Sequence, residues 1–133
     1  MISEELRVDT STAIVVDLTD SLRRFCSGKG DGLAHAFVPH ATAALVLIEL
    51  GAGGEGDLVE WLGQVLPRGA SYQHRHGPRG HGADHLLPAV LGSSVLVPVL
   101  NGIPLLGAWQ SLALIDTNED ADLRRVRLSF VPG

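Results

Sequence analysis

Four of the six histidines fall within twelve residues, at His74, His76, His81 and His85. Histidine is the commonest side-chain metal ligand and titrates nearest neutral pH. The segment is glycine-rich and contains Pro78. Such a loop lets several imidazoles converge where a helix or strand would hold them on separate faces. His35 and His40 stand outside it. His40 follows Pro39, where an apolar strand pattern breaks, and a polar residue there is either partnered or at a surface. With His74 and His85 it makes a set of three imidazoles, and three nitrogens with one open position suit catalytic zinc. His74 and His85 are eleven residues apart, so folding must bring them together. The intervening Gly77-Pro78-Arg79-Gly80 predicts a solvated tip, with His76 and His81 as bystanders.

Other residues offer chemistry singly. Glu49 closes the apolar run that begins at Ala43. A carboxylate there is a general base, a partner for an imidazole's second nitrogen, or the strand's exit into solvent. Trp109 and Gln110 lie in an uncharged stretch. Trp109 reads as core; Gln110, whose amide needs partners when buried, locks a sheet or hydrogen-bonds a ligand. Arg124-Arg125 offers an anion site through one guanidinium, because neighbours on a strand point to opposite faces. The alternative is two solvated arginines beside the acidic Glu119-Asp120-Ala121-Asp122.

The scaffold for these side chains is readable from pattern. Residues 6–18 predict a strand or pair of strands, with Asp9-Thr10-Ser11-Thr12 as a turn. A short helix over 21–26 precedes a glycine loop, and strands follow over 33–38 and 41–50. Leu58, Leu62, Val65 and Leu66 have helical spacing over 57–66, ended by Pro67. Asp84 caps a brief helix over 85–91, with Pro88 at its fourth position. Asn101-Gly102 predicts a hairpin of 93–100 with 103–116, in whose register Ser94 faces Trp109. Residues 124–131 alternate and predict a final strand with one buried face. About six strands and three short helices, outside βαβ order, predict an α+β fold: a largely antiparallel β-sheet or sandwich with short helices. One domain over residues 1–133 is expected. Residues 45–47 and 95–100 lack alternation, so both faces of those strands should be covered. Three short helices can cover only part, and another subunit is expected over the rest.

Composition excludes several classes. The net charge is −5 with a single lysine, Lys29, which opposes non-specific nucleic-acid binding. Residues 86–115 carry no charge, but Pro88, Gly92, Pro98, Asn101, Gly102, Pro104 and Gly107 punctuate them. Buried strands fit that run better than a membrane span. Cys26 is the only cysteine, so an intrachain disulfide is impossible. The acidic N-terminus lacks signal-peptide order, and a cytoplasmic location is the default expectation.

In order, these pieces resemble the YjbQ family, also called UPF0047, which is linked to secondary thiamine-phosphate synthase activity. The resemblance runs from about residue 32 to residue 125. It is carried by Gly32-Leu33-Ala34-His35, His40-Ala41-Thr42-Ala43-Ala44, Glu49, Tyr72-Gln73-His74, His85 through Leu91-Gly92, Val97-Pro98-Val99 and Gly107-Ala108-Trp109-Gln110. It implies a compact α+β domain that assembles as a homotrimer, with histidines lining an inter-subunit cleft that holds a metal or anion. Residue by residue those histidines fall on His40, His74 and His85, the trio named above; His76 and His81 have no counterpart. The implied reaction joins a hydroxymethylpyrimidine diphosphate to a thiazole phosphate and expels pyrophosphate. A divalent transition metal, zinc first, would sit on the trio, and Glu49 would orient a histidine or handle protons. Thr42, Gln110 and Arg125 would bind a small phosphorylated ligand. Ile48, Ala108 and Pro88 depart from the family pattern, and an aspartate common after Glu49 is missing. Each change removes a polar group near the site. The alternatives are therefore a non-catalytic trimer that binds a metal or inorganic anion, and a zinc-dependent hydrolase.

Overall fold

The computed structural model describes residues 1–74 and 76–133. Its elements run β1 (Ile2–Asp9), β2 (Val15–Asp17), α1 (Thr19–Cys26), β3 (Gly32–Phe37), β4 (Ala44–Ile48), α2 (Gly54–Val65), α3 (His81–Leu91), β5 (Ser94–Leu100), β6 (Ile103–Pro104), β7 (Ser111–Ile115) and β8 (Leu123–Pro132). The fold is α+β, as expected, and every strand pairing is antiparallel. The strands form two sheets, ordered β1-β8-β3-β5-β6 and β2-β7-β4.

Three layers result. The inner face of the large sheet presents Ala34, Ala36, Val97, Val99, Val126, Leu128 and Phe130. It packs on Leu45, Leu112 and Leu114 of the small sheet, with Leu22 and Phe25 of α1. Alternation along β7 sends Ala113 and Ile115 to the opposite face, where they cluster with Ala44, Leu62, Ala83 and Leu87. The helices α2 and α3 form this third layer. The apolar run of β4 and β7 is thus explained within one chain, because both faces of the small sheet are covered. Each buried leucine or isoleucine contributes about 1.5–3 kcal/mol, and Leu87 with Ile115 fixes α3 against the sheet.

The expected hairpin is half present. Asn101 and Gly102 both have positive φ, 51° and 74°, the conformation that a tight two-residue turn requires. The register then pairs Leu100 with Ile103 and Val99 with Pro104. One more bond follows, from the Leu105 N–H to the Pro98 carbonyl, at 2.8 Å. Beyond it the ladder ends, so Ser94 does not face Trp109. Ser94 instead pairs with Phe37 of β3, and residues 111–115 leave to form the centre of the small sheet. A long hairpin would have left β2 and β4 without the strand between them.

The outer face of the large sheet divides. Its β1–β8 side carries Glu5, Arg7, Arg125 and Arg127. On the β3–β5–β6 side Leu33, Phe37, Leu96, Leu100 and Ile103 are exposed, Leu96 by 59% and Ile103 by 63%. Among the described residues no helix is long and apolar enough to cross a membrane.

Candidate metal centre

The helix α3 begins four residues earlier than its sequence predicts. Gly80 precedes it with φ at 86°, a left-handed conformation that glycine adopts without penalty. The His81 N–H donates to the Pro78 carbonyl at 3.1 Å, and the Asp84 N–H to the Gly80 carbonyl at 3.2 Å. His81 and His85 therefore sit one helical turn apart, on one face. Their Nε2 atoms are 3.0 Å apart. At that distance the two form a hydrogen bond in which one ring donates and the other accepts, according to tautomer.

The preceding loop lays His74 beside this pair. Its ring centroid is 4.1 Å from that of His85 and 5.1 Å from that of His81. One nitrogen from each of His74, His81 and His85 lies within 4.8 Å of the others. The loop backbone packs hard against the cluster at Gly77, where φ is 85°. A Cβ there would lie 2.5 Å from Cδ2 of His81, inside van der Waals contact. His76 is exposed, as expected, yet its ring centroid is 4.0 Å from that of His74.

Burial and crowding disfavour the protonated forms of His74 and His85. Burial pushes the His74 pKa below 6.5, and the neighbouring His76 and His81 add to the shift. His85 is lowered mainly by burial, then by His74, His81 and His76. A neutral ring keeps a lone pair for a metal. Nδ1 of His74 and Nδ1 of His81 are buried without a hydrogen-bond partner among the described residues. The nearest carboxylate to the latter is Asp120, whose Oδ2 lies 3.6 Å from it. A carboxylate on the far nitrogen of a ligating imidazole is a common supporting arrangement at metal sites. Asp84, fully buried between the two histidines of α3, is clamped by Arg68, whose Nη2 donates to Oδ2 at 3.2 Å. Arg68 Nη1 also pairs with Oδ1, which accepts the Thr117 hydroxyl at 2.7 Å.

The other expected residues lie elsewhere on the chain. His40 is not among the grouped imidazoles; its Nε2 accepts the Arg125 N–H at 3.0 Å. Burial and then the charges of Arg124 and Arg125 lower its pKa. Thr42 is buried, and its hydroxyl oxygen accepts from Arg124 Nη2 at 2.9 Å and Asn118 Nδ2 at 3.2 Å. Arg124 is buried rather than solvated. Its Nε and Nη2 donate to the two oxygens of Asp116, at 2.7 and 2.9 Å. Arg125 is exposed, as is Glu49 just past the end of β4. Gln110 is exposed, and its Oε1 accepts the Gly107 N–H at 2.9 Å. Trp109, expected in the core, is 76% exposed, because the hairpin that would have buried it ends at Leu105.

Sequence reasoning missed His81. It is only 7% exposed, not a solvated tip residue. The signal was present as a histidine pair four residues apart, His81 and His85, with Gly80 as the helix start. Placing the cap at Asp84 left His81 outside the helix and hid that spacing. The supporting roles of Asp120 and Arg68 had no local signal, since each acts across the fold.

A model of the family described as UPF0047 protein YjbQ-like matches residues 4–133. A UPF0047 protein of Mycobacterium tuberculosis is 56% identical over 133 residues, covering 100% of both chains. One from Archaeoglobus fulgidus is 35% identical over 113 residues, 84% of this chain and 88% of its own. Among solved structures, a hypothetical protein from Aeropyrum pernix superposes with a TM-score of 0.91 at 26% identity, covering 100% of both chains. A YbjQ-like protein of unknown function from Sulfolobus solfataricus gives 0.90 at 24% identity, over 99% of this chain and 97% of that one, and shares the fold.

Proposed function

Because this chain belongs to the UPF0047 YjbQ-like family, we propose that its working centre is the histidine cluster at the start of α3, and that the cluster binds a divalent transition metal. The observation that carries this reading is the convergence of His74, His81 and His85, with nitrogens within 4.8 Å of one another. The donor set fits: neutral imidazoles favour zinc or a similar ion over magnesium, which takes oxygen ligands. A tetrahedral zinc with bonds of about 2.0–2.1 Å spaces its nitrogens by roughly 3.3 Å, and the His81–His85 pair, at 3.0 Å, is close to that separation. His74, whose nitrogen lies within 4.8 Å of the other two, would have to draw in to complete the set.

When bound, the ion supplies a Lewis acid that polarises an oxygen of a small phosphorylated ligand or inorganic anion. The chain's own residues would do the rest. Asp120 would hold His81 through Nδ1, and Gln110, which is exposed, would meet the ligand's other polar groups. In the thiamine-phosphate synthase reading, the ligands are a hydroxymethylpyrimidine diphosphate and a thiazole phosphate, and pyrophosphate leaves. His40, Glu49 and Arg125 would enter through assembly, in a homotrimer whose inter-subunit cleft would set one copy's His40 segment near another's cluster, with the buried Thr42 supporting that segment through Arg124. The exposed apolar side of the large sheet, with Phe37, Leu96 and Ile103, supports a second copy covering it.

A second reading, a non-catalytic metal- or anion-binding trimer, is favoured by His40, whose Nε2 is already engaged by a backbone N–H. One experiment addresses both. Metal content is measured on the purified protein and on His74→Ala, followed by turnover of phosphorylated substrates with the metal-loaded protein. Metal held by the parent and lost in the variant supports the centre. Turnover that vanishes in His40→Ala supports the enzyme, and tight metal binding without turnover supports the binder. A parent protein that takes up no transition metal overturns the metal centre in either reading.

A further inference from the structure

The centre has a fourth imidazole that the proposed trio does not use. His76 is exposed, on the loop between His74 and Gly77. Its ring centroid lies 4.0 Å from that of His74, 5.4 Å from His81 and 5.8 Å from His85. All four rings belong to one chain within twelve residues. The same loop walls a cavity of about 290 Å³ whose lining includes His74, His76 and His81 with two cations, Arg68 and Arg79.

We infer that His76 is a displaceable fourth ligand, which closes the metal centre when no anion is present and yields its place to an oxyanion, of the inorganic phosphate or phosphomonoester class. The inference rests on the reading above that His74, His81 and His85 hold the metal. Three protein nitrogens leave a tetrahedral ion one open position, whereas four close it. A fourth imidazole tethered to the same loop competes for that position at an effective concentration near the millimolar range or above, with no diffusional encounter. Of the four rings, His76 is the one outside the convergent trio and on the solvent side, and it is carried by the loop rather than by α3, so it can leave without disturbing the other three. His76 would give up its place as the anion enters, one donor replacing another, while His74, His81 and His85 would keep theirs. Arg79 selects the entrant. Arg68 is tied to Asp84, which offsets its charge, so Arg79 on the same loop is the cation that the cavity wall offers to an anion in preference to a neutral ligand. The device would keep the ion protected in the resting protein and make its open position conditional on an anionic ligand.

Cobalt(II) is the probe, because its visible spectrum reports both the number and the type of ligands. The parent protein and His76→Ala are loaded with cobalt, and inorganic phosphate is titrated into each. The expected result is a different starting spectrum for the variant, and a phosphate concentration at half-change at least about tenfold lower than in the parent. Circular dichroism checks that the variant is folded; since His76 is exposed on a loop, its fold should be unchanged. Identical starting spectra and coincident phosphate titrations would overturn the inference while leaving the three-histidine centre standing. Failure of the parent to bind cobalt would overturn the centre and this inference together.

Discussion

His81 and His85 point their Nε2 atoms at each other across 3.0 Å, one turn apart on α3. Two neutral imidazoles can hold that distance by sharing one hydrogen, and a metal ion can replace that hydrogen. The pair is thus built for either occupant, and its rigidity comes from the helix rather than from the loop. Leu87 and Ala83 of the same helix are buried against the small sheet, which fixes the direction in which both rings project.

His81→Ala should lower zinc affinity by more than about 100-fold, since even partners behind a ligand are worth about 10–100-fold. Asp120→Asn, which keeps the shape but removes the charge 3.6 Å from His81 Nδ1, should cost about tenfold. Competition against a chromophoric chelator measures both. An unchanged affinity in His81→Ala would return the third ligand position to another residue.

The ion pair of Arg124 and Asp116 has both side chains almost fully buried, 4% and 1% exposed. Arg124→Ala should therefore destabilise the fold by about 3–5 kcal/mol, because it strands the Asp116 carboxylate out of water. Thr10 would still donate to that carboxylate, at 2.8 Å, and moderate the loss. Urea unfolding measures the difference. A change below about 1 kcal/mol would mean that water reaches Asp116 in the variant.

Acid should weaken the metal-free protein earlier than its carboxylates alone would dictate. His40, His74 and His85 all have pKa values lowered from 6.5. Below pH 6.5 the unfolded chain takes up protons that the folded chain refuses, so protonation favours unfolding. Stability is fully present above that pH and falls as pH drops toward the lowered folded values. Thermal melts between pH 7.5 and 5 should show a falling midpoint, and the slope should flatten in a His74→Ala, His85→Ala double variant. Parallel slopes would place the titration elsewhere.

Assembly has its own test. Leu96 and Ile103 lie on the exposed apolar side of the large sheet, and a trimer is expected to cover them. Sedimentation of the parent at micromolar concentration should give a trimer. Leu96→Glu with Ile103→Glu should give a folded monomer. A monomeric parent would mean that this face meets some other partner.

What the sequence made legible was what depends on short-range pattern. The Asn101-Gly102 turn, the alternation along β8 and the helical spacing of Leu58, Leu62 and Val65 each stand in the structure. The antiparallel α+β arrangement followed from them, and the grouping of His74 with His85 is the part of the expected trio that one chain assembles. The failures have a common physical source. Where the β5–β6 ladder stops is decided by the small sheet's need for a central strand, which no residue near Trp109 announces. The start of α3 at His81 depends on the left-handed Gly80, whose conformation answers to packing: a Cβ there would lie 2.8 Å from the Arg68 guanidinium. Both are long-range effects that local propensity does not encode.

The tight approach of Gly77 to the His81 ring carries a last consequence. Any side chain at position 77 would strike the ring at 2.5 Å and turn it aside. A descendant of this chain could therefore keep all four histidines, look complete to anyone counting ligands, and still have lost its centre through one added methyl group. Inventory and architecture come apart at a residue with no side chain at all.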